Sequence, residues 1–107
     1  MYLRKIQDDV DKWTSQFDPQ YWKPHEILAR FVEETGELAR EINNVYGPKK
    51  KKSSEETREL GGEIADLLFT ICCLANSLGI SLDECWGQMM DKLRSRDNNR
   101  FERARDS

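Results

Sequence analysis

Glu63-Ile64-Ala65-Asp66-Leu67-Leu68-Phe69-Thr70-Ile71-Cys72-Cys73-Leu74-Ala75 is the stretch that decides the fold. Wound as a helix it is apolar nearly all the way round, and a helix hydrophobic on every side is one that is covered on every side. In a chain of 107 residues, three other helices are hard pressed to provide that cover. The sequence therefore predicts a dimer or larger assembly with this helix at its centre, against the alternative of a well-wrapped monomeric core helix.

Working outward, this helix begins near Ser53-Ser54, where Ser53 and Glu56 have capping-box spacing. It runs to Leu78 and stops at Gly79, a residue free to take the left-handed conformation that ends helices. Ser81-Leu82-Asp83-Glu84 repeats the capping box and opens a further helix through Trp86, Met89, Met90 and Leu93. On the N-terminal side, a helix is expected from Pro24 to Val45, with Leu28, Phe31, Leu38, Ile42 and Val45 in one stripe. Tyr46-Gly47-Pro48 ends it, and Lys49 to Lys52 form a loop. Ahead of it, Leu3, Ile6, Val10, Trp13 and Phe17 recur at helical steps until Asp18-Pro19 interrupts them. No strand pattern and no fixed-period repeat is present. The expected fold is all-α: one four-helix, bundle-like domain over residues 1–107, with the polar residues 99–107 as a frayed tail.

Composition narrows the function. Six glycines and three prolines are too few for a low-complexity chain. The net charge of −3 argues against a nucleic-acid partner, which would need a basic footprint. No run of ~20 apolar residues is evident, and the N-terminus carries acids where a leader needs an apolar stretch, so no membrane association and a cytoplasmic location are expected. Cys72, Cys73 and Cys85 read as reduced, structural residues. A zinc site would want paired ligands with histidine nearby, and the only histidine is His25. There is no Gly-rich phosphate loop, which excludes a P-loop NTPase.

Two acids interrupt the apolar helix. At ~100° per residue and with Leu67 as origin, Leu60, Ile71, Leu74 and Leu78 fall within about 40°, Glu63 lies at about −40° and Asp66 at about −100°. On the preceding helix, with Phe31 as origin, Glu34 falls at about −60° and Glu37 at about −120°, while Glu33 points away at about 200°. Glu34 and Glu37 are thus expected to be partly buried, and Glu33 to be solvated or to act from behind the others. Carboxylates are rarely buried unless paired or bound to a metal. Four of them repel one another until protons or cations intervene. Oxygen-only donors select hard ions, Mg²⁺ or Mn²⁺, and Mg²⁺ characteristically binds a few carboxylates together with substrate phosphates. The ordinary alternative is a solvated acidic face. Two acid pairs of spacing three, both flanking apolar stripes, favour the metal site.

Phe31-Val32-Glu33-Glu34-Thr35-Gly36-Glu37-Leu38, followed by Glu63-Ile64-Ala65-Asp66-Leu67-Leu68, resembles the EExxE…ExxD pattern of the MazG-type nucleotide pyrophosphohydrolases, members of the all-α NTP pyrophosphatase superfamily. The likeness extends from Trp13 through Pro24 to Leu28 and on to Asp91–Asp97. It implies hydrolysis of a (d)NTP to its monophosphate and pyrophosphate, with Glu34, Glu37, Glu63 and Asp66 holding Mg²⁺ (Mn²⁺ as a substitute), and a homodimer or homotetramer whose site is lined by two subunits. A metal-activated water would attack the α-phosphorus, with Glu34 taking its proton. Glu33 matches the first acid of the pattern but faces outward on the wheel.

Lys92 and Arg96, four apart on one helix face, are candidates for the triphosphate, a position where family members have a Lys/Arg segment; a solvated face balanced by Asp91 and Asp97 is the alternative. Arg100 and the loop lysines are weaker candidates. Trp13 and Trp22, with Tyr21 beside them, are candidates for stacking on a base, although aromatics at helical spacing commonly belong to a core. His25 reads as a helix-start residue. Two other classes stay in view: a di-iron bundle, which needs Glu-x-x-His pairs that this sequence lacks, and a non-catalytic helical module that binds a nucleotide or a partner protein.

Overall fold

Four helices and no strand make up the described part of the computed structural model, which covers residues 2–46, 54–96, 99–102 and 104. They are α1 (Tyr2–Thr14), α2 (Pro24–Tyr46), α3 (Ser54–Ser77) and α4 (Leu82–Ser95). The all-α class is as expected. The Ser53–Glu56 capping box, the lysines Lys49 to Lys52 and Asp97 lie outside the described residues.

The first helix ends at Thr14, earlier than its apolar repeat suggested. Polar side chains take over the last carbonyls there. Thr14 Oγ1 donates to Val10 O at 2.9 Å, Ser15 Oγ to Lys12 O at 2.7 Å and Gln16 Nε2 to Trp13 O at 2.9 Å. Phe17 is therefore outside the helix, although it still meets Trp13, with ring centroids 5.0 Å apart. The Asp18-Pro19 peptide is cis.

The paired helices α2 and α3 form the main packing unit, with α1 laid against α3 and α4 held chiefly by α1. Glu34 meets Thr70, and Glu41 meets Glu63 about two helical turns further along. As residue numbers rise on one helix they fall on the other, so α2 and α3 are antiparallel. The buried apolar residues are Val10, Ile27, Val45, Leu60, Cys72 and Ala75. Two members of the expected α2 stripe, Leu28 and Ile42, are exposed, and Ile27 takes the buried place instead. All three cysteines are free, as expected, and Cys85 is exposed, so its expected structural role is not one of core packing.

The arrangement is open. The Cα radius of gyration is 17.6 Å, against about 13 Å for a compact chain of this length. Accessible surface is 8944 Å², against about 6,200 Å² for a compact monomer of this mass. On α3, Ile64 (54% exposed), Leu68 and Ile71 face outward, and on α4 so do Trp86, Met89 and Leu93. A single chain therefore leaves part of its apolar helix uncovered. The segment Glu59–Ser77 is also long and apolar enough to cross a membrane by length and composition, contrary to the expectation that no such run exists. Its apolar residues outweigh its three acids in the average, and two of those acids, Glu63 and Asp66, belong to the carboxylate group it shares with α2.

The turn between α3 and α4 is fixed by its own chemistry. Gly79 has φ +67°, Gly79 N donates to Asn76 O at 3.2 Å and Ile80 N to Ala75 O at 2.9 Å, the two closing bonds of a Schellman end. Ser81 then caps α4, accepting from Glu84 N, as its sequence predicted. This turn is tied to α1 by Gln7, which is 2% exposed. Gln7 Nε2 donates to Asn76 Oδ1 and to Ile80 O, both at 2.8 Å, and Gln7 Oε1 accepts from Leu82 N at 2.9 Å.

Candidate active site between helices α2 and α3

Beside the α2–α3 seam lies a cavity of about 430 Å³, large enough for a nucleoside. One wall is aromatic: Trp13 from the end of α1, Tyr21 and Trp22 from the segment leading into α2, and Phe69 from α3. Trp13 and Phe69 meet edge-to-face, centroids 5.8 Å apart at 78°. Tyr21 is fixed by its hydroxyl, which donates to Asp11 Oδ1 at 2.7 Å and accepts from Asn76 Nδ2 at 3.0 Å. Burial pushes its phenol above the usual tyrosine range. The same lining carries Arg30, Glu34, Asp66 and Thr70.

Glu34 is the most enclosed carboxylate bordering the cavity, with its side chain 18% exposed. Its Oε1 accepts from Thr70 Oγ1 at 2.9 Å, and its Oε2 stands 3.7 Å from Arg30 Nε. Glu37 is exposed rather than partly buried. At that level of α2 the neighbouring Leu38 is the half-buried residue, which leaves Glu37 on the rim. Glu33 is exposed, in line with its outward place on the helical wheel.

Further along the seam, Glu63 is half-buried and its Oε2 is buried without a hydrogen-bond donor. A carboxyl–carboxyl contact with Glu41 raises the Glu63 pKa above the usual carboxylate range, and loss of hydration and the charges of Glu41, Glu37 and Asp66 push the same way. The acids thus sense one another across the seam. Among the described residues, however, no three His, Cys, Asp or Glu side chains are gathered tightly enough to close on one ion. The donor chemistry fits a divalent cation: all oxygen, several negative charges, and one oxygen buried without a positive or hydrogen-bearing partner.

Of the predicted site residues, Trp13, Trp22, Glu34 and Asp66 line the one cavity, and Glu37 and Glu63 extend the acidic group along the helices. Lys92 and Arg96 do not line it; Lys92 lies on α4, whose packing is against α1, and Arg96 caps the C-terminal end of that helix. His25 is exposed in the first turn of α2, as a helix-start residue is.

Sequence reasoning missed Arg30, Glu41 and Thr70. Each had a periodic signal. Arg30 is four before Glu34, Glu41 four after Glu37, and Thr70 four after Asp66, so each shares a helix face with a nominated acid.

Comparison with known proteins agrees with the all-α fold. The model of the MazG nucleotide pyrophosphohydrolase domain matches residues 23–101, a span that holds α2, α3, α4 and every acid of the seam. The chain belongs to the MazG nucleotide pyrophosphohydrolase family. With the family comes the enzyme class, a hydrolase acting on phosphoanhydride bonds. This MazG chain is 46% identical over 101 residues to the uncharacterised protein YpjD of Bacillus subtilis (strain 168), spanning 94% of this chain and 91% of that protein. It is 32% identical over 106 residues to YvdC of the same organism, spanning 90% and 96%. The crystal structure of YpjD superposes with a TM-score of 0.79 at 45% identity, over 87% of this chain and 95% of that one. The crystal structure of the Bacillus-conserved MazG protein, a nucleotide pyrophosphohydrolase, does so with a TM-score of 0.75 at 37% identity, over 88% and 90%. The MazG match begins at residue 23, so Trp13, Tyr21 and Trp22 lie ahead of the matched span.

Proposed function

We propose that the chain hydrolyses a (d)NTP to its monophosphate and pyrophosphate in a Mg²⁺-dependent reaction. The single observation that carries this reading is the meeting of Glu34 and Asp66 with an aromatic cavity of nucleoside size. The aromatic wall takes the base by stacking, with Trp13 and Trp22 presenting ring area to it. Glu34, Glu37, Glu63 and Asp66 would hold the cation, and Glu41 stands close enough to Glu63 to join them. When bound, Mg²⁺ supplies charge neutralisation for the phosphates and a more acidic water.

The residues do the rest. Glu34 lines the cavity with Oε1 anchored by Thr70 and Oε2 3.7 Å from Arg30 Nε, and a carboxylate held there is suited to accepting a proton from an attacking water. Arg30 is the cation lining the cavity and can meet a phosphate oxygen there. Lys92 and Arg96, which do not line this chain's own cavity, would serve the cavity of a second copy. The uncovered apolar faces of α3 and α4 support such a homodimer or dimer of dimers.

The test is a pyrophosphate-release screen against normal and modified (d)NTPs, with Mg²⁺ and with chelator. Release from at least one nucleotide, abolished by chelator and by the Glu37→Gln, Asp66→Asn double variant, is expected. Nucleotide binding without turnover across the whole panel would overturn the reading in favour of a binding module.

A further inference from the structure

We propose that Thr70, which lines the cavity beside Glu34, is a positioning residue for Glu34, fixing the orientation of its carboxylate there. This inference rests on the reading of Glu34 as a cation ligand and goes beyond it to a residue outside the acidic set. Thr70 lies on α3 with 8% of its surface exposed, so its hydroxyl has little access to water and must find its partners within the protein. A threonine in mid-helix ordinarily gives its hydroxyl to the carbonyl four residues back. That carbonyl, Asp66 O, is 3.0 Å away. Glu34 Oε1 of the facing helix is 2.9 Å away. One hydroxyl carries one hydrogen, so the two acceptors compete for it, and an ionised carboxylate is the stronger acceptor.

Glu34 needs such a partner. Unlike Glu37 it is mostly enclosed, and its other polar neighbour, Arg30, is an exposed i,i+4 partner at 3.7 Å that holds it loosely. Donation from the facing helix ties Oε1 back toward α3 and leaves Oε2 on the Arg30 side. Because Thr70 is also one turn from Asp66 on α3, the same side chain sets the separation between an acid of α2 and an acid of α3. Outer partners of this kind orient metal-ligating carboxylates, and their loss typically costs about 10–100-fold in metal affinity.

The experiment uses the full chain and Mn²⁺ alone as probe, by calorimetry without nucleotide, followed by pyrophosphate-release kinetics at saturating Mn²⁺. Thr70→Val keeps the buried volume and removes the hydroxyl, and Thr70→Ala is a second hydroxyl-free variant should the first fail to fold. Thr70→Ser keeps the hydroxyl and removes the methyl group. The expected result is Mn²⁺ binding weakened at least about tenfold in the hydroxyl-free variants, restored in Thr70→Ser, with kcat moved more than the nucleotide KM. Wild-type Mn²⁺ affinity in Thr70→Val overturns the inference. So does equal weakening in Thr70→Ser, which would assign the effect to packing, and so does a wild-type chain that binds no Mn²⁺. If the wild type binds Mn²⁺ but cleaves no nucleotide, the proposed reaction fails while the Val–Ser comparison of Mn²⁺ affinity still decides the role of Thr70.

Discussion

Gln7 and Asn76, 69 residues apart, hold each other by reciprocal hydrogen bonds: Gln7 Nε2 donates to Asn76 Oδ1 at 2.8 Å, and Asn76 Nδ2 donates to the Gln7 carbonyl at 3.0 Å. The same Asn76 amide donates to Tyr21 Oη in the cavity wall. Structural tie and functional wall therefore share one side chain. Replacing Gln7 by Leu leaves Asn76 Oδ1, Ile80 O and Leu82 N without this partner in an interior site. Stability should fall by about 2–4 kcal/mol, read as a lower urea midpoint at unchanged m-value; an unaltered midpoint would show the knot to be dispensable.

The contact between Glu63 and Glu41 makes a prediction about pH. The Glu63 pKa is raised in the folded chain, first by the carboxyl contact with Glu41 and then by lost hydration. A raised folded pKa means that the native state holds the proton more tightly than the unfolded state. This contribution to stability is present below the ordinary glutamate pKa of 4.5 and is lost as pH rises through the raised folded value. In metal-free protein, Glu63→Gln should abolish that loss and raise Tm at neutral pH. Addition of Mg²⁺ should raise the Tm of the wild type and leave that of the variant unmoved. A variant melting below the wild type in chelator contradicts the assignment.

Trp13 is 55% exposed yet lines the cavity, so its removal should cost binding more than folding. Stacking of a base on an aromatic ring is worth about 1–3 kcal/mol, and Trp13→Ala is expected to raise the nucleotide KM by about tenfold at that scale with little change in kcat. A fall in kcat at constant KM would place Trp13 in the packing of Phe69 and Phe17 instead.

The three thiols should separate by reactivity. Burial, reinforced by neighbouring Cys72, pushes the Cys73 thiol up to about 11, and burial raises Cys72 as well. Cys85 is exposed. At pH 7.5 an alkylating reagent should modify Cys85 rapidly and the adjacent pair slowly, as read by peptide mass mapping, because the thiolate is the reactive form. Cys73 also lines the cavity, so fast modification there would show the wall to be wetter than its burial implies.

Much of this molecule was legible from periodicity. The α2 limits, the Gly79 stop and the Ser81 cap follow from local chemistry that the chain carries within a few residues. Glu34 and Asp66 were nominated because they flank apolar stripes, and both reach the cavity. What escaped depends on contacts between distant segments. A helical wheel places Glu41 on the correct face but cannot say that Glu63 of an antiparallel neighbour lies opposite it. Nor does it show that Gln7, an unremarkable polar residue in an amphipathic helix, is enclosed by the α3–α4 turn. The early end of α1 at Thr14 escaped for another reason: apolar spacing continued to Phe17 while Thr14, Ser15 and Gln16 capped the carbonyls. Lys92 and Arg96 satisfy the spacing for a phosphate clamp, yet spacing within one helix is silent on which cavity that helix faces.

The relay from Gln7 through Asn76 to Tyr21 makes the nucleoside-sized hollow a late product of assembly. Its aromatic wall stands upright only when the first helix has docked on the far turn, so a fragment that begins at α2 would keep every acid of the α2–α3 seam and still lack a shaped receptor. Catalytic competence and completion of the tertiary structure should then arrive together, with no partly docked species able to select a substrate.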